Sequence, residues 1–494
     1  MKLLFLLLFL ITFSLLATIF KKQKKIFICF SVVIIIFFYL FLSINFFYKE
    51  NFYPSKKINY YNMCYNYYNL LADSLKEYKT YISDNVNITK SFFAKEEELS
   101  LLDTSVYKNK VYLYFGITPV ILFYLPFNLI THLYLTDKLL VFILSCFIFL
   151  LSLFLIKRTY ESIIKTNNIP MNIIVLCIFI VGFCNLLPFL LIRSAIYEVT
   201  VTTAVFLLLT SFYLFYYYLN TKNSTKQKVL NFCLSLTLCL SVGARPHYVL
   251  FIPIFFVAVI LTKYIQTKEI KNIVYSAVIF LIPCLIYGII IALYNYIRFD
   301  SIFEFGWHYQ INEHLQDTFK PSFNDFIIGL KNNFFLLPNM NETTFFSLTR
   351  TSGHRIGNEY ISGVFWTCPI ILILLYIPIF LKKIYKENIY NFIFILTILI
   401  TTIINIVVLN FYGMIIRYIF EYLSLMLILS IIIFLVYINN ITDKLTKNFL
   451  NLLFILIFVY SVFINISLLF CKENFLAHDS LKNTCYTSII KILF

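Results

Sequence analysis

An all-α fold, a polytopic transmembrane bundle of about twelve helices, is what this sequence predicts, and three observations lead there. Of its 494 residues, 61% are hydrophobic and only 13% charged, with a mean hydropathy of +0.84. Soluble globular domains run nearer half apolar and about a quarter charged. Apolar runs recur from end to end at close to the ~20 residues an α-helix needs to cross the hydrocarbon core. Between those runs lie short gaps rich in lysine.

In order, the spans are expected at 3–20, 26–48, 138–156, 172–190, 198–218, 229–243, 247–263, 273–296, 364–381, 390–411, 418–438 and 448–470. The stretch Met1 to Phe20 reads as a span rather than a signal peptide. Its apolar run continues to Phe20 without a small-residue cleavage site, and Lys21 follows directly.

Six connections are basic: KKQKK from Lys21, KRTYESIIK from Lys157, TKNSTKQK from Thr221, KYIQTKEIK from Lys263, KKIYKE from Lys382, and the stretch through Lys444 and Lys447. Together they carry 18 Lys and Arg against four acids, Glu161, Glu269, Glu387 and Asp443. Such loops belong to the cytoplasm by the positive-inside rule, and alternation of the spans puts all six on one side.

On the opposite, external side two connections are long, 49–137 and 297–363. The chain thus divides into N-terminal spans (1–48), a first external loop (49–137), a central transmembrane bundle (138–296), a second external loop (297–363), C-terminal transmembrane helices (364–470) and a short external tail (471–494). Within the first loop, VYLYFGITPVILFYLPFNLI is apolar enough to span, but a crossing there would put the Lys157 loop outside. Pro119 and Pro126 also interrupt it. One or two interfacial helices are expected instead, with Tyr112, Tyr114 and Tyr124 as interfacial anchors.

The net charge of +16 is a consequence of the basic loops, so it does not point to nucleic acid. Eight of the eleven cysteines (Cys29, Cys146, Cys177, Cys184, Cys233, Cys239, Cys284, Cys368) fall within apolar segments and read as small fillers. Cys64, Cys471 and Cys485 fall outside them. None has CxxC spacing.

Some charges break the rule. Arg193, Arg245, Arg298 and Arg417 each fall at the external end of a span, in RSAIYE, ARPHY, NYIRFDSIFEFGWHYQ and RYIFEY. Ionised groups in that setting cost free energy, so they commonly face a bundle interior and mark a site. A plainer reading of each arginine is an anchor to lipid headgroups. Converging on one face, the four would form a receptor for a phosphate or diphosphate, because the guanidinium fork donates bidentate hydrogen bonds to phosphate oxygens. Glu198 and Glu421, about one turn inside their helices, would orient the arginines or bind a sugar hydroxyl or a metal. Pro246 breaks the chain after Arg245, and freed backbone at membrane depth is tolerated where it lines a cavity. His247 beside it reads as a packing residue or as part of that cavity.

The strings DTSVYKNKVYLYFGITPVILFYLPF (Asp103 to Phe127), ARPHYVL, YNYIRFDSIFEFGWHYQ and RYIFEYLSLML resemble a family of bacterial polytopic membrane proteins with GT-C glycosyltransferase architecture. That superfamily includes protein O-mannosyltransferases and aminoarabinose transferases. The resemblance runs from about the second span to the eleventh. It implies transfer of a sugar from a polyprenyl-phosphate donor to a glycan, lipid or protein acceptor at the external or periplasmic face of the inner membrane. It also implies a long first loop carrying an acid, and arginines that hold the carrier phosphate. Many GT-C members carry an acidic pair early in that loop, whereas the stretch NFYPSKKINYYNMCYNYYNLLADSL (51–75) of this chain has no carboxylate before Asp73.

The chemistry requires a carboxylate to take the acceptor's proton and positive charge where the leaving phosphate develops its own. Asp103 is the expected base, ahead of Asp73, Glu77, Asp84, Glu96, Glu97 and Glu98. Arg245 and Arg417, with Arg298 and Arg193, are the expected phosphate ligands. Glu198, His247, Tyr418 and Glu421 are the expected substrate contacts. No metal ligand set can be named, although the chemistry has room for a divalent ion, and nothing resembles a nucleotide-binding loop. Two other functions fit an external-face site. One is an O-antigen-type polymerase or ligase built on His308, His314, His354 and Arg355, and the other is a glycolipid transporter or flippase.

Overall fold

The structure, a computed structural model, describes residues 24–47, 67–84, 104–164, 169–310, 322–341, 345–353 and 359–469. The expected span 3–20 and the expected base Asp103 lie outside the described residues, as do Glu96, Glu97, Glu98, His314, His354 and Arg355.

Nine helices among the described residues are long and apolar enough to cross a membrane, as a multi-pass membrane protein requires. Two compact units are interleaved along the chain. Unit 1 is Met1–Asn45, Phe149–Arg193 and Pro321–Phe494, and unit 2 is Phe46–Ile148 and Ser194–Lys320.

Unit 1 contains α1 (Lys24–Phe47), the second half of a long helix Asp137–Ile163, and a broken pair, Met171–Phe183 and Leu187–Ile192. The pair is split at Cys184–Leu186, where Leu186 takes a left-handed φ of 63° and Asn185 Oδ1 accepts from Leu187 N at 3.0 Å. A bulky residue with that φ is held there by its surroundings, and Leu186 is buried. The unit continues with helices Phe323–Phe335, Ile377–Glu387, Ile389–Tyr412, Ile416–Asn440 and Lys444–Leu469. Their starts are encoded locally. Asn388 caps Ile389–Tyr412, and Ser322 with Asp325 forms a capping box on Phe323–Phe335. Helix Ile416–Asn440 packs on Ile389–Tyr412, and its whole apolar window is buried.

The span expected at 364–381 is not one continuous α-helix. Cys368, ahead of Pro369, leaves the helical region (φ −144°, ψ 64°), and a 3₁₀ segment Pro369–Tyr376 then leads into Ile377–Glu387. The span expected at 229–243 is present as helix Ser224–Val242, but its start is polar, and it is not among the nine.

Unit 2 is a bundle of helices Ile196–Asn220, Ser224–Val242, Phe251–Thr267 and Ile270–Phe299, with residues of the first long connection layered on it. That layer contains helix Tyr67–Lys76, the hairpin Thr104–Tyr107/Lys110–Leu113, and a short apolar helix Val120–Thr131 that opens with a π turn. The hairpin, with two further two-stranded pairs in unit 1, departs from a purely helical fold. Leu129 and Ile130 are exposed on the short helix. Tyr112 and Tyr124 are buried instead of anchoring at an interface: Tyr112 packs against Phe299, and Tyr124 packs on Tyr68 and bonds to Asp137.

The chain segment after the hairpin approaches the bundle backbone closely. A Cβ on Gly116 would sit 1.8 Å from the Gly243 carbonyl oxygen, whose acceptor is used by Thr118 N at 3.3 Å. Only glycine allows that approach.

Candidate functional site

Arg193 caps the end of the short helix Leu187–Ile192, and Arg417 stands in the first turn of Ile416–Asn440. Both reach Glu359, which lies just before the strand Tyr360–Ile361. Arg193 donates from Nη1 to Oε2 at 3.3 Å and from Nη2 to Oε1 at 3.5 Å, while Arg417 donates from Nη1 to Oε1 at 3.2 Å. The backbone beneath Glu359 is fixed on both sides. Its N–H donates to Met414 O at 3.1 Å, and its carbonyl accepts from Thr351 N at 3.2 Å and Thr351 Oγ1 at 2.8 Å.

Electrostatics follow from this placement. Burial pushes the Glu359 carboxyl up, but Arg417 and Arg193 outweigh it, aided by the Ile416 N–H at the helix start, and hold it below the usual glutamate range. The carboxylate is therefore ionised, and two guanidiniums share it. The side chains of Arg193, Arg417 and Glu359 are 27%, 13% and 23% exposed, so the cluster is partly buried yet reachable. The Arg417 guanidinium lies 5.8 Å from the Tyr418 ring, and Glu421, one turn further, is fully buried.

Unit 2 holds the other expected residues. Arg245 is extended (φ −138°) ahead of the 3₁₀ turn Pro246–Leu250, as its proline requires, and His247 in that turn packs edge-on against Tyr248 at 4.7 Å. Burial pushes the Tyr68 hydroxyl far up; the Asp137 charge adds to this and Arg245 opposes it, so both charges lie within electrostatic reach of Tyr68. Asp137 is itself 4% exposed and accepts from Tyr124.

Two expected residues have local structural work instead. Arg298 is buried, donating to Leu113 O at 3.1 Å and Asn295 Oδ1 at 2.7 Å, with its guanidinium 4.0 Å from the Tyr294 ring. It latches the hairpin of the first long connection to the helix Ile270–Phe299. Glu198 reaches back so that Ala195 N donates to its Oε2 at 3.2 Å, completing the start of Ile196–Asn220. Of the expected phosphate ligands, the structure thus brings Arg193 and Arg417 onto one group.

Sequence reasoning missed Glu359 and Asp137. Glu359 is the lone acid between Glu342 and Glu387, and Asp137 is an acid at the end of a span. Neither has an arginine beside it in sequence to mark it. Among the described residues, no group of three or more His, Cys, Asp or Glu is placed to hold a metal ion.

No family model matches this sequence, and no curated protein matches it. Among solved structures, the Archaeoglobus fulgidus oligosaccharyltransferase in its apo form is similar over 88% of this chain and 55% of its own, at 12% identity and a TM-score of 0.48. The archaeal oligosaccharyltransferase AglB from the same organism, in complex with an inhibitory peptide and a dolichol-phosphate, is similar over 90% and 56%, at 13% identity and 0.47. The chain spans about half the length of the structures it matches. A likeness this distant carries no functional conclusion.

Proposed function

We propose that this chain is a membrane glycosyltransferase of GT-C type that moves a sugar from a polyprenyl-phosphate donor to an acceptor at the external face of the cell membrane. The observation that carries the reading is the Arg193–Glu359–Arg417 cluster. Two arginines from remote parts of the chain are held together and partly buried, where a lipid phosphate oxygen can compete for their forks.

In the proposed reaction the acceptor oxygen forms a bond to the anomeric carbon as the bond from that carbon to the phosphate oxygen breaks. The electron pair leaves with the polyprenyl phosphate, whose growing charge Arg193 and Arg417 stabilise. The acceptor's proton passes to a carboxylate of the first long connection. Asp103 remains the expected base, and Asp137, buried near Tyr68 and Arg245, is the described alternative. Glu359 keeps the two guanidiniums together before the donor arrives. The sugar class, hexosyl or pentosyl, follows from neither cluster.

The test is a proteoliposome assay with a panel of polyprenyl-phosphate sugars, following release of sugar-free polyprenyl phosphate by mass spectrometry. The proposal expects release with at least one donor. Movement of intact donor across the bilayer, with none cleaved, would leave the transporter reading instead.

A further inference from the structure

We propose a second lipid site in unit 2, at the opposite, basic end of its helices, that takes the phosphate of an anionic phospholipid whose headgroup carries a hydroxyl. A cavity of about 30 Å³ lies there, lined by Lys228 and Asn231 of helix Ser224–Val242, Lys263 of Phe251–Thr267, and Tyr275 and Ser276 of Ile270–Phe299. At about 10–15 Å³ for one water by this measure, the cavity admits about two oxygen-sized groups of a headgroup and not its bulk.

Three features define the ligand. The first is uncompensated positive charge. Neither Lys228 nor Lys263 lies within salt-bridge distance of a described carboxylate. Lys263 Nζ instead donates to Gln227 Oε1 at 2.7 Å, and Lys228 Nζ sits 4.7 Å from the Tyr275 ring. Gln227 is in turn fixed by donating to Gln266 Oε1 at 2.8 Å.

The second is an unused acceptor. Asn231 is 1% exposed, and its amide orientation is settled because Nδ2 donates at 2.8 Å to Ser276 O, which can only accept. Its Oδ1 accepts from no described residue. A buried amide oxygen of this kind favours a ligand that donates a hydrogen bond. Two ammoniums with one acceptor therefore match a phosphate ester with a hydroxyl, as in a phosphoglycerol headgroup.

The third is the apolar surround: Val229, Tyr264, Val274 and Val278, next in sequence to the lining residues Lys228, Lys263, Tyr275 and Ile279, are exposed, as suits helices flanked by acyl chains. The lysines of 222–228 and 263–271 belong to the loops that the charge rule assigns to the cytoplasmic side, where basic pockets between helices recruit anionic lipid headgroups.

The experiment uses the full chain in phosphatidylcholine nanodiscs with and without phosphatidylglycerol, reading thermal stability and lipid retention by native mass spectrometry. Phosphatidylglycerol should raise the melting temperature and remain bound after the disc is stripped. Lys228→Gln, at an exposed residue, and Lys263→Gln should each weaken retention about fivefold, while melting in phosphatidylcholine alone stays cooperative. Asn231→Ala should narrow the preference for phosphatidylglycerol over phosphatidic acid, which lacks the headgroup's glycerol hydroxyls. Full retention in the Lys228→Gln/Lys263→Gln double variant would overturn the site. Equal stabilisation by inorganic phosphate would overturn the lipid assignment.

Discussion

Arg417 and Glu359, 58 residues apart in sequence, meet at 3.2 Å, and Arg193 reaches the same carboxylate at 3.3 Å from 166 residues away. One anion thus binds two cations that would otherwise repel each other. The arrangement keeps two guanidinium forks side by side, with side chains partly open to solvent.

Replacing Glu359 with Gln removes the charge and preserves the shape. The two guanidiniums then lose their shared counter-ion, at a cost of about 1–3 kcal/mol for a partly buried cluster. A lower melting temperature in nanodiscs should report it, with the fold otherwise kept by the backbone bonds to Met414 and Thr351.

The sign of the pH effect is fixed by the same cluster. Glu359 titrates lower in the fold than in the unfolded chain, so its contribution is full above the ordinary glutamate range and is lost as pH falls through its folded value. Melting temperature plotted against pH should fall on the acid side for the native chain. Glu359→Gln should flatten that limb.

Arg298 gives the contrasting case. Arg298→Ala leaves the buried Leu113 carbonyl without its donor, which costs about 1–3 kcal/mol. The loss should appear as faster proteolysis and hydrogen exchange in 104–113. An apparent donor affinity weakened without any change in that exchange would restore Arg298 to the phosphate role expected from sequence.

Gly116→Ala should be more severe, because a Cβ 1.8 Å from the Gly243 oxygen forces backbone to move. A destabilisation of about 2 kcal/mol or more is expected, read as loss of monodisperse protein on extraction. Wild-type behaviour of this variant would mean that the layer of the first long connection does not dock as described.

These residues show what a sequence displays and what it hides. Spans such as 390–411 and 418–438 fall within two residues of helices Ile389–Tyr412 and Ile416–Asn440, because hydropathy over some 20 residues is a one-dimensional signal. The break at Pro246 was legible because a proline causes it, whereas the one at Pro369, with the same cause, falls inside a span read as continuous over 364–381. The break at Leu186 was also read through, in the span 172–190, although Pro188 stands at the start of the helix that follows it. Arg298 and Arg417 share one sequence signature, an arginine at a helix end. Their partners, a backbone carbonyl and a distant glutamate, differ only in three dimensions. Glu359 was invisible for the same reason: a single acid in a long connection has no period or spacing to mark it.

The most direct test of the central claim is equilibrium binding of labelled polyprenyl phosphate to the chain in nanodiscs. Native protein should bind it saturably. Arg193→Ala/Arg417→Ala should weaken binding about a hundredfold or more while still melting cooperatively, and Arg417→Lys should recover only part of it, since a point charge replaces a fork. Unchanged affinity in the folded double variant would contradict the account.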